Sequence, residues 1–211
     1  MSTTALIQAV EDADSASRLV EAVYQLASVR DETAIPTLIK VLGFNNPGAA
    51  VAAVNGLIQL GEAAVPTLLD QLDGYNYGAR AWAIRALAGI ADPRALDVLL
   101  DAAQADFALS VRRAAARGLG TVRWHQLPSG DIQLAQTRTF EALIQVSHDP
   151  EWVVRYAAVV ALQSLAIATH STQPDWYTQI LDHFQHRLSL DEDTAVSARI
   201  KMAHHQLSQL A

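Results

Sequence analysis

Apolar residues recur along this chain in short clusters with a regular spacing. Three similar clusters begin at positions 34, 64 and 95, with the sequences AIPTLI, AVPTLL and ALDVLL. Inside the first two, apolar residues at i, i+1 and i+4 form one stripe of a helix. Pro36 and Pro66 fall where a helix begins, a position that tolerates proline because its backbone N–H has no helical partner. The pattern predicts one amphipathic helix per cluster.

A second helix rich in alanine is predicted after each cluster. Each of these second helices contains an arginine followed seven positions later by a leucine, in the pairs Arg80 and Leu87, Arg112 and Leu119, and Arg155 and Leu162. A fourth copy of the first cluster begins at Thr139, so an insertion at about 124–138 precedes it. We predict an all-α fold, a right-handed α–α superhelix of HEAT-like helix pairs, with residues 1–211 forming a single domain. The insertion is predicted to form a loop because it contains Pro128 and Gly130.

Composition limits the function classes. The 211 residues are 51% hydrophobic, enough for one core, and no run of 18 apolar residues lacks a charge. Residues 1–4 (MSTT) do not start a basic and apolar leader. We therefore expect a soluble cytoplasmic protein without membrane insertion. The sequence contains no cysteine, which excludes disulfides, thiolate metal sites and a cysteine nucleophile.

Charge is unevenly distributed. The net charge of −7 disfavours a role with nucleic acid. Residues 78–123 nevertheless hold seven arginines against four aspartates. Lysine occurs only at Lys40 and Lys201, and arginine is the cation whose planar fork fits carboxylates and stacks on rings. The centre of the chain is thus predicted to bind a carboxylated, flat ligand.

Aromatic residues accompany this basic region. Tyr75, Tyr77 and Trp82 surround the start of one second helix, Trp124 and His125 begin the insertion, and Trp152 and Tyr156 are one helical turn apart. Trp82 and Arg85, at i and i+3, can share a face while Ala83 and Leu87 point into the core. Two structural alternatives stand beside this interpretation. The rings can be core packing, and Arg80, Arg112 and Arg155 can pair with the aspartate of a neighbouring turn.

Residues 75–87 (YNYGARAWAIRAL) resemble the signature segment of the E/F-type phycobilin lyases, and the length, repeat order and insertion most resemble the F-type subunits of that family. The resemblance implies a heterodimer with an E-type lyase subunit. That heterodimer attaches phycocyanobilin, as substrate and not as a permanently bound cofactor, to a cysteine of the apo-phycocyanin α subunit. Isomerising relatives carry a His-Cys pair in this segment. Here Asn76, Tyr77 and Gly78 stand instead, which indicates ligation without isomerisation.

The resemblance and the residue types together predict the bilin-binding residues and the localisation. Binding is assigned to Tyr75, Asn76, Tyr77, Arg80, Trp82, Arg85, Arg113, Arg117, Trp124, Trp152 and Tyr156. Tyr77 and His125 are the candidate proton donors. The implied location is the cyanobacterial cytosol near the thylakoid surface.

Two other functions remain open on the sequence alone. One is a bilin carrier or phycobilisome-turnover adaptor without catalysis, and the other is a protein-interaction scaffold. Residues 6–29 and 176–207, at the two ends of the repeats, are candidate partner surfaces. No metal site is predicted, because His183 and His186 lack nearby carboxylate ligands and read as solvated. Residues 188–193 (LSLDED) read as the exposed start of a helix.

Overall fold

The structure, a computed structural model, describes residues 1–72 and 77–209, and at Tyr77 the backbone alone. The described residues form helices joined by short turns, with no strand among them. The helices are α1 (Thr3–Glu11), α2 (Ala16–Ser28), α3 (Ile35–Leu42), α4 (Pro47–Leu60), α5 (Val65–Asp70), α6 (Tyr77–Ile90), α7 (Leu96–Ala105), α8 (Leu109–Leu119), α9 (Ser129–Val146), α10 (Trp152–Thr169), α11 (Pro174–Leu190) and α12 (Thr194–Ser208). Short 3₁₀ turns precede α3, α5, α7 and α9. The predicted all-α class of helix pairs is confirmed.

The turns between pairs repeat as the helices do. Arg30, Gly61 and Ala91 have positive φ values of 52°, 63° and 62°, and each lies within two residues after the end of a second helix. A positive φ turns the chain out of the helical path and so ends the helix. Pro36 and Pro66 lie in the first turns of α3 and α5, as predicted.

The chain divides into two compact units, Met1–Ala95 and Leu96–Ala211. In the first unit α4 packs between α2 and α6, and in the second unit α10 packs between α8 and α12. The second helices of successive pairs therefore stack on one another inside each unit. The largest fully buried side chains are mostly leucines of these helices and of the first helices that cover them. A single domain over residues 1–211 stays a prediction.

Small residues let the stacked helices approach closely. A Cβ atom placed on Gly120, at the end of α8, would lie 2.6 Å from the Cα atom of Ala161 in α10. A Cβ atom on Gly56 of α4 would lie 2.7 Å from the Cβ atom of Ala27. Real side chains do not reach such distances, so the backbones are in direct contact at both crossings.

The prediction of an inserted loop was wrong. Residues 124–126 form a 3₁₀ turn, and the rest of the insertion lengthens α9 to 18 residues. Thr139, the predicted start of the fourth cluster, is buried within this helix and donates to the carbonyl oxygen of Ala135 at 2.9 Å. Ala135, Thr139 and Ala142 are buried at helical spacing. The apolar stripe therefore begins inside the insertion, which is why a helix forms there.

Two helical stretches are long and apolar enough to cross a membrane, residues Pro47–Asp70 and Trp152–Thr169. In the most apolar 18 residues of each stretch, 50% and 56% of the residues respectively are buried. This is the burial expected of a core helix in a repeat protein, since each second helix packs between two others.

Candidate functional site

Part of the predicted site lies outside the described residues. Tyr75 and Asn76 fall in the undescribed segment, and of Tyr77 only the backbone, at the start of α6, is described. Their predicted contacts with bilin, and Tyr77 as a proton donor, stay predictions.

Helix α6 presents an aromatic and cationic pair. The guanidinium carbon of Arg85 lies 5.4 Å from the centroid of the Trp82 ring, within the range of a cation–π contact. Arg85 is exposed and Trp82 is half-buried, while Ala83 and Leu87 are buried. The predicted shared face is therefore confirmed. Arg80 is half-buried and donates from Nη1 to the carbonyl oxygen of Leu72 at 3.3 Å, which ties it to the end of the preceding helix.

Two of the recurrent arginines form structural ion pairs. Arg112 on α8 donates to both carboxylate oxygens of Asp149, at 2.7 and 3.2 Å, and also to the carbonyl oxygens of Asp106 and Phe107. The hydrogen bond to Asp149 raises the pKa of Arg112. This arginine links its own turn to the turn of the next pair, so the pairing interpretation is confirmed for it.

The same arrangement recurs one pair later. Arg155 on α10 donates to both oxygens of Asp191, at 2.7 and 3.0 Å, and Arg187 adds a third contact at 2.8 Å. The Asp191 side chain is fully buried, which acts to raise its pKa, but the hydrogen bonds from Arg155, Arg187 and the Asp193 N–H together lower it. The prediction of an exposed segment at 188–193 was wrong at this position. Arg187 is four positions before Asp191 on α11, but Arg155 comes from α10, and the sequence pattern could not show that contact.

Helices α8 and α10 carry four of the five predicted bilin-binding residues of the second unit. Arg113 and Arg117 are exposed one turn apart on α8, with no carboxylate at ion-pair distance among the described residues. Trp152 and Tyr156 on α10 are 45% and 37% exposed. Because α8 packs against α10, two cations stand on the helix next to an exposed aromatic pair. We call these four residues the Arg-aromatic face.

Trp124 and His125 lie on the 3₁₀ turn before α9. Trp124 is half-buried, whereas His125 is exposed. No hydrogen bond fixes the His125 ring among the residues described. Its role as a proton donor stays a prediction.

One buried cation was not predicted from the sequence. Arg199 on α12 is only 7% exposed and donates from Nη2 to the Oε1 atom of Gln163 on α10. Burial lowers the pKa of Arg199, and nearby Tyr156 acts in the opposite direction. Arg199 follows Asp191 by eight positions, as Ala157 follows Asp149 in the preceding pair, so the two residues occupy equivalent positions. A large cation in place of a buried alanine was the signal available in the sequence.

A histidine cluster lies where α9 ends against α11. The Nε2 atom of His183 forms a hydrogen bond with the hydroxyl oxygen of Ser147, 2.8 Å away. The centroid of the His183 ring is 5.6 Å from the centroid of the His148 ring. Burial, followed by the charges of His148, Arg187 and His186, lowers the pKa of His183 from 6.5 to about 4. The prediction of a solvated His183 was wrong, because Ser147 and His148 come from another helix. No group of three potential metal ligands occurs in the part of the chain that is described.

This pKa predicts a loss of stability in acid. Between pH 6.5 and about 4 the unfolded chain takes up a proton that folded His183 excludes, so the free energy of unfolding falls as the pH falls. After allowance for partial solvent screening we expect a loss of about 1–2 kcal/mol. Urea unfolding at pH 7 and pH 4.5 measures it. His183→Gln, which can still bond Ser147, should lose less between the two pH values, and an equal loss in both proteins would contradict the assignment.

A groove of about 510 Å³ lies at the start of the first unit. Glu11, Asp14, Lys40 and Phe44 are among the residues that line it, and Lys40 approaches Glu11 at 3.7 Å. None of the predicted bilin-binding residues whose side chains the structure describes lines this groove. It falls partly within residues 6–29, one of the two predicted partner surfaces, which both stay predictions.

The chain is similar in sequence to several known proteins. The HEAT-repeat profile matches residues 3–74 and 65–163. The chain is 57% identical over 205 residues to the phycocyanobilin lyase subunit beta of Pseudanabaena tenuis, across 97% of this chain and 73% of that protein. It is 56% identical to the phycocyanin alpha phycocyanobilin lyase CpcF of Synechocystis, across 92% and 89% of the two chains. It is also 54% identical to a phycobilisome maturation protein of Synechococcus elongatus, across 98% of each.

Solved structures agree with these relatives. A chain from the complex of CpcE and CpcF of phycocyanin lyase from Nostoc superposes with a TM-score of 0.75 and 55% identity, covering 82% of this chain and 99% of that one. A designed armadillo repeat protein, at 15% identity and a TM-score of 0.57, shares the fold alone.

Proposed function

Because this chain belongs to the E/F-type phycobilin lyase family of HEAT-repeat proteins, we propose that it is the F-type subunit of a heterodimeric phycocyanobilin lyase. The observation that carries the proposal is an identity above 50% to relatives named for this activity, over nearly the whole chain. The partner is an E-type subunit, since the similar solved chain comes from a complex of CpcE and CpcF. The acceptor is a cysteine of the apo-phycocyanin α subunit.

The chemistry suits a chain without cysteine. The thiolate of the acceptor protein adds to the ethylidene group of ring A, so a carbon–sulfur bond forms while the carbon–carbon double bond takes up a proton on the tetrapyrrole. The thiol belongs to the protein substrate, and phycocyanobilin is a substrate too. What the subunit contributes is orientation of the bilin, which brings the reacting atoms together and removes much of the entropic barrier.

The Arg-aromatic face and the Trp82–Arg85 pair supply groups that suit a bilin. Arginine forks bind carboxylates such as the two propionates, and exposed tryptophan and tyrosine rings stack on a conjugated plane. Arg112 and Arg155 have no such role, because their guanidinium groups are already bonded to aspartates. Substitution of Asn76, Tyr77 and Gly78 for a His-Cys pair supports ligation without isomerisation. We place the protein in the cyanobacterial cytosol, near the thylakoid surface where phycobilisomes assemble.

Reconstitution tests the proposal directly. Phycocyanobilin and apo-phycocyanin α subunit are mixed with this chain, its E-type partner, or both, and covalent attachment is followed by zinc-induced fluorescence on a denaturing gel. We expect a correctly absorbing adduct only when both chains are present. Attachment that does not depend on this chain would contradict a lyase subunit.

A carrier or maturation adaptor is the second candidate. It is favoured by the 54% identity to a protein named for phycobilisome maturation. In the same assay it would bind bilin or phycobiliprotein without accelerating attachment. A plain scaffold would be indifferent to bilin.

Removing two cations from the Arg-aromatic face should weaken bilin uptake. We expect Arg113→Gln with Arg117→Gln to lower bilin affinity of the heterodimer about tenfold, because charge-assisted hydrogen bonds to propionate are lost. Absorbance titration measures the affinity, and circular dichroism should show unchanged helicity, since both side chains are exposed. The control, Lys40→Gln with Arg138→Gln, removes the same charge from exposed side chains outside the Arg-aromatic face. Equal effects of the two double variants would remove the face from the mechanism.

A further inference from the structure

Arg199 is a buried cation whose hydrogen bonds are incomplete. Its Nη2 atom donates to Gln163 Oε1, while its buried Nη1 atom has no acceptor among residues 1–72 and 77–209. The amide of Gln163 is itself engaged, since Nε2 donates to Gln206 Oε1 at 2.7 Å. The guanidinium therefore meets one neutral acceptor and no carboxylate in the described structure.

This arrangement differs from the other buried arginines of the same unit. Arg112 is bonded to Asp149, and Arg155 and Arg187 are both bonded to Asp191. A buried charge without a partner is costly, and arginine cannot escape the cost by losing its proton. Arg112, Arg155 and Arg187 are thus paired with aspartates, whereas Arg199, the most buried of these four, has no carboxylate partner among the described residues.

The unpaired guanidinium lies beside the Arg-aromatic face. Trp152, Tyr156 and Gln163 occupy positions i, i+4 and i+11 of α10, so they share one side of that helix. Gln163 contacts Arg199, and Tyr156 is close enough to influence its charge. Tyr156 is 37% exposed. Arg199 therefore lies close to the exposed aromatic pair.

We propose that Arg199 is the buried half of a carboxylate-binding site on the second unit, completed when a carboxylate from another molecule enters beside Tyr156 and accepts from Nη1. The inference rests on the proposed function, because a bilin carries two propionate groups. An acidic side chain of the partner subunit offers the same chemistry, and the experiments separate the two sources.

The first experiment needs no bilin. The thermal unfolding midpoint of the full chain is measured in sodium propionate and in sodium chloride at equal ionic strength. A ligand that binds the folded state raises the midpoint, so we expect propionate to raise it for the natural chain and not for Arg199→Met. Arg138→Met, which removes an exposed arginine, is the control and should respond like the natural chain. An equal response in Arg199→Met overturns the proposal.

The stability of Arg199→Met in chloride is the second readout. Methionine fills similar space without a charge, so we expect an unchanged or higher midpoint together with weaker carboxylate binding. A lower midpoint with unchanged carboxylate binding would mean that Arg199 only joins α10 to α12, and would overturn the proposal.

The third experiment identifies the source of the carboxylate. Heterodimers of the natural chain and of Arg199→Met, or of Arg199→Gln if Arg199→Met does not fold, are each titrated with phycocyanobilin and with its dimethyl ester. A preference for the acid over the ester that is about tenfold smaller in the variant supports a propionate at Arg199, since Arg113 and Arg117 are unchanged. If the preference is the same in both, the affinity for the E-type subunit is compared between the natural chain and the variant. A weaker variant supports a partner carboxylate, and equal affinities overturn the proposal. Failure of the heterodimer to bind any bilin would contradict the proposed function, while the propionate result would still decide the role of Arg199.

Discussion

Replacing Asp191 with asparagine is expected to lower the free energy of unfolding by about 3–5 kcal/mol, the largest effect of any single change considered. The Asp191 carboxylate is fully buried and accepts from Arg155 and Arg187 at 2.7 and 2.8 Å. Asparagine keeps the shape but leaves two largely buried guanidinium groups without a counter-charge. Urea unfolding followed by circular dichroism at pH 7 measures the loss.

Asp97→Asn is the matched control. Asp97 also meets an arginine, Arg138, at 2.7 Å, but the two side chains are 76% and 47% exposed. Exposed ion pairs contribute about 0–1 kcal/mol, because water screens them and both side chains lose freedom. Equal losses in the two variants would show that burial of Asp191 does not govern its contribution.

Replacing Gly120 with alanine is expected to cost about 2–3 kcal/mol. The added methyl group would lie 2.6 Å from the Cα atom of Ala161, and backbone cannot rotate out of the way as a side chain can. Helix α8 must therefore move away from α10, which opens space along their contact. The same urea measurement detects the loss.

Gly130→Ala is the control for this change. Gly130 lies in the first turn of α9, and a Cβ atom there meets nothing within 4 Å. Alanine favours a helix over glycine, so stability should stay the same or rise by up to about 1 kcal/mol. A destabilisation of Gly130→Ala as large as that of Gly120→Ala would argue against the close helix contact as the cause.

The sequence predicted the features that depend on local periodicity. The helix pairs, the prolines at helix starts and the shared face of Trp82 and Arg85 all follow from spacing within one helix. The pairing of Arg112 and Arg155 was predicted as an alternative, because a repeated residue at a repeated position indicates a repeated contact.

Features that depend on contacts between pairs were missed. Asp191 and His183 were predicted to be exposed and Arg199 was not singled out, yet each is buried or half-buried by a helix from another pair. Their partners Arg155, Ser147 and Gln163 are all more than 30 positions away in the sequence. Helix α9 was missed for a different reason, since Pro128 and Gly130 suggested a loop although both stand at its beginning.

The arginine–aspartate pairs of the second unit limit how such a protein can grow by duplication. In the pair α9–α10, Asp149 accepts a hydrogen bond from Arg112 of the preceding pair, and Arg155 donates one to Asp191 of the next pair. Any copy inserted beside it must carry both an aspartate and an arginine, or two buried charges lose their partners. The pair α11–α12 carries Ser197 at the place that Arg155 holds in the pair before it, and Ser197 donates to the Asp191 carbonyl oxygen. A serine at this place is too short to form the bridge to a neighbouring aspartate that Arg155 forms.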